Sequence, residues 1–223
     1  LIKFFVDIIN FMIINLLCDN ENSWFWDYSE NFRKNLEKKK HKVNICSDEN
    51  ELINADISAF ISCVKIVSGE NLKKSSSNIV CHPSDLPTGK GFSPIAWEIL
   101  NGKNELTFTL FEAVEGVDSG PIYNKSKVKL MGHELNSEIK EIQAATTFRM
   151  IINYIDSFPS VSSYKQEGEE TFYKKRTPQD SQLDTDKSIS EQFNLLRIVD
   201  NDNYPAFFLY NNHKYIIKIQ KSD

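Results

Sequence analysis

Two residues of this 223-residue chain carry the first sign of chemistry, His82 and Asp118. His82 ends a short apolar run, N-I-V-C-H at 78–82, and opens a turn-rich loop, P-S-D-L-P-T-G-K-G at 83–91. Asp118 follows 36 residues later, in V-D-S-G-P-I at 117–122. The stretch 78–123 holds five of the eight glycines, four of the seven prolines and one of the four histidines. Gly and Pro placed this densely set particular backbone dihedrals, so the loop is shaped rather than filler. A histidine exchanges protons near neutral pH. A carboxylate beside it orients the ring and stabilises its cationic form. Such a pair suits acyl transfer to an amine, which must be neutral when it attacks and must lose a proton afterwards. The tetrahedral oxyanion of that reaction also needs donors aimed at it. On this reading His82 is the base and oxyanion partner and Asp118 its orienter.

Several other chemistries lack their residues. No G-x-G-x-x-G follows the first strand and no Walker sequence occurs, so dinucleotide and P-loop binding have no support. Cys18, Cys46, Cys63 and Cys81 are widely spaced and form no C-x-x-C pair. That pattern fits buried thiols in a reducing cytoplasm better than a disulfide scaffold, and it offers no zinc site. The net charge of -5 tilts against nucleic acid as the main partner. The apolar opening of the chain is broken by Lys3, Asp7, Asn10 and Asn15. It therefore falls short of the roughly 20 clean apolar residues a membrane span needs. It also lacks a signal peptide's basic start and small-residue cleavage site. Met12 stands at the front of a good strand and is expected to be the initiator, with residues 1–11 an upstream extension.

The elements that must position the pair read as a mostly parallel α/β sheet. Strands are expected at 12–18, 42–46, 57–63 and 78–81, with a helix over 23–40 carrying Phe25, Tyr28, Phe32 and Leu36 on one face. In such a sheet, ligands bind beyond the carboxyl ends of the strands. His82 is expected just past the fourth strand, on the same edge as the end of the first. A helix over 93–100 with Pro94 in its first turn follows. Extended segments are expected at 104–112 and 119–130. A long helix from Asn136 or Ser137 presents Ile139, Ile142, Ala145, Phe148, Ile152 and Ile155, and Pro159 ends it. The composition then turns to Ser, Glu, Lys and Asp. This divides the chain into a catalytic domain over 12–158, a linker over 159–187 and a C-terminal subdomain over 188–223. That subdomain reads as a helix at 188–199 and a β-hairpin of 205–210 and 213–219 joined across Asn211-Asn212. The hairpin edge is a surface for a homodimer.

The loop H-P-S-D-L-P-T-G-K-G, the helix with Trp97 and the later V-D-S-G-P-I together resemble the signature of the 10-formyltetrahydrofolate-dependent formyltransferases. That family includes methionyl-tRNA formyltransferase, glycinamide ribonucleotide formyltransferase and the nucleotide-sugar N-formyltransferases. The resemblance implies a Rossmann-like formyltransferase fold and 10-formyltetrahydrofolate as formyl donor. It implies donor contacts from Ser84, Leu86, Pro87, Gly89 and Gly91, and a pterin-contacting loop of Ala113, Val114, Glu115, Gly116 and Val117. The tail segments Y-K-K-R-T-P-Q-D at 173–180, Q-F-N-L-L-R-I-V-D and Y-P-A-F-F are similar to those of the sugar-directed members. The stretch beyond the hairpin has no room for the larger domain the initiator-tRNA enzyme uses to hold tRNA. The expected substrate is thus the amine of a nucleotide-linked amino-deoxy sugar, held by Arg176, Asn194, Arg197 and Tyr204. A methionyl-tRNA or other small-amine formyltransferase, or a non-catalytic folate or sugar-nucleotide binding protein, is the alternative. One position departs from the family. Its third catalytic residue is an asparagine two before the histidine, where this chain has Val80. Asn78 shares that strand face and is the nearest candidate, about 6–7 Å further back. If Asn78 is idle, Asn104 or a backbone amide must supply the donor.

Overall fold

The computed structural model describes residues 11–222. All but Phe11 of the expected upstream extension lies outside the described residues. In chain order the strands are β1 (Ile13–Leu17), β2 (Lys42–Cys46), β3 (Ala55–Phe60), β4 (Ser75–His82), β5 (Lys90–Gly91), β6 (Glu105–Glu112), β7 (Ile122–Lys129), β8 (Phe172–Tyr173), β9 (Ala206–Tyr210) and β10 (His213–Ile217). The helices are α1 (Phe25–Lys38), α2 (Gly69–Leu72), α3 (Pro94–Leu100), α4 (Asn136–Ser157) and α5 (Phe193–Ile198). Six strands form one sheet in the order β2-β1-β3-β4-β6-β7. Pairs β1–β2, β1–β3 and β3–β4 are parallel, whereas β6 runs antiparallel to both β4 and β7. Five of the six strands therefore share one direction, as the α/β pattern predicts. Among the described residues no helix is long and apolar enough to cross a membrane.

Strand β1 carries the logic of the sheet. Ile14 and Leu16 are fully buried in the main core with Phe25, Phe32 and Leu36 of α1, Ile57 and Ala59 of β3 and the inner residues of α4. On the opposite face Leu17 packs with Cys46 and Phe60. Asn15 interrupts this apolar strand, yet it is fully buried. Its amide donates to Ser58 Oγ at 3.0 Å and to the Ile53 carbonyl at 2.9 Å, and its oxygen accepts from Asn44 Nδ2 at 2.9 Å. Ser58 in turn meets Ser75 Oγ at 2.6 Å. A side-chain ladder thus crosses four parallel strands, and every buried polar group in it is partnered.

Three expectations shift. Strand β4 begins at Ser75 and includes His82 as its last residue, because Ser75 and Ser77 keep pairing with β3. In α4 the buried stripe runs through Ile139, Ala144, Thr147, Ile151 and Ile155, with Ala145 exposed. The helix packs on the sheet one residue round from the apolar reading, and small Ala and Thr fit the close approach. Residues 159–187, read as a linker, are hydrogen-bonded back onto the body. Tyr164 pairs with Ile122, and β8 pairs with β5.

Helix α5 is held by Arg197, which is fully buried. Its Nε donates to Asn194 Oδ1 at 2.9 Å and its Nη2 to Asn104 Oδ1 at 2.6 Å, while Nη1 lies 3.6 Å from Glu134 Oε2. A buried cation of this kind is costly to leave without partners, and its partners are costly to leave without it. Arg197→Ala is expected to destabilise the fold by about 3–5 kcal/mol, read as a drop in urea midpoint with an unchanged slope.

Candidate functional site

Strand β4 delivers His82 to the carboxyl edge of the sheet, where it is 8% exposed. Its Nε2 lies 2.9 Å from the carbonyl oxygen of Gly89. A carbonyl can only accept, so Nε2 carries the hydrogen and the lone pair of the neutral ring sits on Nδ1. Nδ1 faces Asp118, with Oδ2 at 3.8 Å. That gap exceeds a hydrogen bond, so the two groups flank a shared space. The same Oδ2 accepts the backbone N–H of Gly91 at 2.8 Å. Asp118 adopts a φ of +47°, in the left-handed region that an Asp tolerates better than most residues. Its carbonyl accepts from Gln166 Nε2 at 2.8 Å, which also bonds the Gly120 carbonyl at 2.9 Å. Gly120 is required beside it, because a Cβ there would collide with the Glu112 carbonyl oxygen.

A strap closes the loop that carries these contacts. The N–H of Lys90 donates to the Thr171 carbonyl at 2.9 Å, and that of Phe92 donates to the Tyr173 carbonyl at 3.1 Å. Gly89 N–H donates to Thr171 Oγ1 at 2.8 Å. Lys90 is 2% exposed and its ammonium meets Glu170 at 2.7 Å. Trp97 donates its indole N–H to the Lys174 carbonyl at 2.8 Å and stacks on Tyr173. It therefore holds the strap in place.

His82 and Asp118 open on a cavity of about 540 Å³. Such a volume is in the range of small-molecule sites. The cavity lining includes an apolar group, Phe60, Leu72, Val80, Phe111 and Ala113, that packs together through Val80. Val114, Gly116, Val117, Asn20, Trp24, Phe92, Gln143 and Lys175 also line it. Of the expected donor contacts, Gly91, Ala113, Val114, Gly116 and Val117 line the cavity. Ser84, Leu86, Pro87, Gly89 and Glu115 are absent from its lining. Ser84 and Leu86 are fully buried beneath the loop, Leu86 packing with Phe111 and Ile122. Gly89 acts through its carbonyl on His82.

Asn78 does not reach the site. Its Nδ2 donates to the Leu72 carbonyl at 2.9 Å, and the residue is absent from the lining. Val80 occupies the wall where a donor was expected. Asn104 is likewise absent from the lining, and its Oδ1 accepts from Arg197. The four expected substrate residues lie away from the cavity lining. Arg176 donates to the Asp180 carbonyl and to Ser181 Oγ. Asn194 and Arg197 bond each other inside the α5 anchor. Tyr204 pairs with Asp200 through its backbone, and none of the four lines the cavity. The reading of the sequence missed Asn20, Trp24, Phe60, Gln143 and Lys175. Asn20, Trp24 and Phe60 follow or end β1 and β3 on the carboxyl edge, so the rule that located His82 also reaches them.

Among the described residues no group of three or more His, Cys, Asp or Glu side chains converges as a metal site. Cys63 and Cys81 line the cavity, but burial pushes both thiols up to about 12. Burial raises the Cys18 thiol as well, and Cys46 to about 11. Since the thiolate is the nucleophile, these cysteines are inert near neutral pH. A disulfide reagent at pH 8 is expected to leave the native protein unlabelled and to titrate all four thiols in denaturant.

Gly91 has φ +91°, and a Cβ there would stand 2.6 Å from the Tyr173 carbonyl oxygen. Gly91→Ala is expected to cost about 1–3 kcal/mol, the scale of local backbone strain. It should also speed amide exchange at Phe92, whose N–H bonds the strap.

A family model for formyl transferases matches residues 18–153. Methionyl-tRNA formyltransferase of Thermosipho melanesiensis is 31% identical over 119 residues, which is 53% of this chain and 39% of that protein. The chain thus matches well under half the length of that relative. Methionyl-tRNA formyltransferase from Clostridium thermocellum superimposes with a TM-score of 0.78 at 24% identity, covering 95% of this chain and 93% of that one. A sugar N-formyltransferase from Shewanella superimposes with a TM-score of 0.70 at 15% identity, covering 95% and 98%. At these identities the two superpositions speak for the fold. The family match takes in more than half of the chain, from the end of β1 through most of α4. This chain belongs to the formyl transferase family.

Proposed function

We propose that this protein transfers a formyl group from 10-formyltetrahydrofolate to the amine of a nucleotide-linked amino-deoxy sugar. The observation that carries the reading is the convergence of His82 Nδ1 and Asp118 Oδ2, 3.8 Å apart, in the lining of a cavity of small-molecule size. The apolar group of Phe60, Leu72, Val80 and Phe111 suits a flat pterin, with Ala113, Val114, Gly116 and Val117 in the same lining. The donor supplies an activated formyl carbon. The amine enters beside His82 and Asp118.

The protein's own part is proton management and positioning. The Gly89 carbonyl fixes the Nε2–H tautomer of His82, so Nδ1 is free to take the proton the amine must shed. Once protonated, that Nδ1–H is a charged donor that would stabilise oxyanion charge and would return the proton to the folate nitrogen as its bond to the formyl carbon breaks and tetrahydrofolate leaves. Asp118, held by Gly91 N–H and Gln166, stabilises the imidazolium and attracts the incoming ammonium.

The sugar acceptor is favoured by the small cavity, whose lining mixes apolar and polar side chains. The 31% identity to a methionyl-tRNA formyltransferase makes charged tRNA the second reading. The test is turnover, read by mass, with the formyl donor, a panel of nucleotide amino-sugars and methionyl-tRNA. N-formyl sugar is the expected product. Exclusive formylation of the tRNA would overturn the sugar assignment, and no product from any amine would overturn the activity. His82→Ala is expected to lower kcat by about 10²–10⁴-fold with donor binding retained. Asp118→Ala should also lower kcat. Full activity in both variants would remove the assigned roles.

A further inference from the structure

Gly89 supplies the carbonyl that meets His82 Nε2 at 2.9 Å, and its position allows nothing larger. A Cβ there would stand 2.8 Å from Tyr173 Cε2 and 3.0 Å from Ser84 Cβ, at a φ of +77°. The strap and the buried floor of the loop therefore demand a glycine at the one position that must hold a carbonyl still. A glycine leaves the peptide groups on both sides of it free to turn. Their orientation must be fixed from outside the loop.

Thr171 fixes both, with two oxygens. Its Oγ1 accepts the N–H of Gly89 at 2.8 Å, which sets the peptide before the glycine. Its carbonyl accepts the N–H of Lys90 at 2.9 Å, which sets the peptide after it. That second peptide is the one whose carbonyl meets His82. A hydrogen-bonded chain thus runs from the Thr171 carbonyl, through the amide joining Gly89 to Lys90, to the His82 ring. Each bond in such a chain polarises the next. The neighbours of Thr171 on the strap meet other groups. Glu170 takes the Lys90 ammonium, the Tyr173 carbonyl accepts from Phe92 and the Lys174 carbonyl accepts from Trp97. Thr171 is absent from the cavity lining, so it reaches the chemistry only through the loop.

We infer that Thr171 is a positioning residue for His82. Its hydroxyl and carbonyl together hold the Gly89 carbonyl against Nε2, which keeps the ring hydrogen there and leaves the Nδ1 lone pair open toward Asp118. The strap then acts on the reaction and does more than cover the loop. This rests on the formyl-transfer reading for what Nδ1 does, but not for the tautomer itself.

Ring-nitrogen NMR of the free protein, isotopically labelled at histidine, reads that tautomer without substrate. Spectra are recorded at pH about 8, above the ordinary histidine pKa of about 6.5. The His82 signals are those missing from His82→Gln. In the wild type Nε2 is expected to carry the hydrogen and Nδ1 to be bare. Thr171→Val keeps the side-chain shape and removes the acceptor oxygen. Thr171→Ala removes the same oxygen with a different change in packing, and Thr171→Ser retains it. The Val and Ala variants are expected to mix the tautomers, drawing the two ring-nitrogen signals together. They should also lower kcat about tenfold, the scale of one hydrogen bond, with KM unchanged. Thr171→Ser should restore the wild-type signals and kcat. A threonine that merely stabilises the fold would shift the thermal midpoint and leave tautomer and kcat unmoved, and that result would overturn the inference. So would a wild-type His82 with its hydrogen on Nδ1, an outcome that depends on no variant folding. Tautomer mixing in the variants of a protein that formylates no amine would uphold the positioning role and overturn the proposed reaction alone.

Discussion

The bond from Gly91 N–H to Asp118 Oδ2 is the constraint on which the site depends. It joins two loops that leave different strands, the one after β4 and the one after β6. The pairing of β4 with β6 sets the strands these loops leave side by side, although His82 and Asp118 are 36 residues apart. With the bond from Gly91, the carboxylate is held facing Nδ1 while the Gly89 carbonyl holds the far side of the imidazole. One short segment, Gly89 to Gly91, therefore positions both groups through its backbone. Side chains there are free to do other work, and Lys90 turns inward to the strap.

That arrangement requires the strap. A two-residue strand such as β5 has no stability of its own. The N–H of Lys90 is satisfied by the Thr171 carbonyl and that of Phe92, just past it, by the Tyr173 carbonyl, while Glu170 takes the buried Lys90 ammonium. Lys90 is 2% exposed, and burying a charge without that partner would be costly. Trp97, stacked on Tyr173, ties the same strap to α3. The segment after α4 thus belongs energetically to the loop after β4, despite its distance in sequence. It also carries Lys175 to the mouth of the cavity.

This explains what was legible in the sequence and what was not. The parallel sheet was readable because short strand-like segments, of which β1 is the most apolar, are spaced by a helix and connectors, and because the carboxyl-edge rule follows from strand direction. His82 and Asp118 were readable because Gly and Pro mark the loops that carry them. The role of residues 159–187 was hidden, since a Ser-, Glu- and Lys-rich composition looks the same whether its backbone is solvated or paired with a loop. Arg176 and Arg197 misled for a related reason. A guanidinium anchoring a helix and one awaiting a phosphate are the same letter, and only the fixed partners Asn104, Asn194 and Asp180 tell them apart. Asn78 failed on range. Its strand face was right, but Leu72 takes its amide.

Val80 is where sequence and structure agree on a departure, and the site geometry says how the reaction can tolerate it. Val80 packs against both the Leu17–Phe60 cluster and the Leu86–Phe111–Ile122 cluster, bridging them across β4. A polar side chain there would lie among apolar neighbours and stay unpaired until ligand arrived, at a cost in the free protein. Valine removes that cost and with it one neutral donor. The fixed tautomer of His82 offers a replacement. The proton taken by Nδ1 in the proposed reaction makes that same nitrogen a cationic donor, and a charged hydrogen bond is roughly twice as strong as a neutral one. In that proposed reaction base and oxyanion donor fall on one atom in sequence, and the role proposed for Asp118 is to keep the cation beside the reacting carbon.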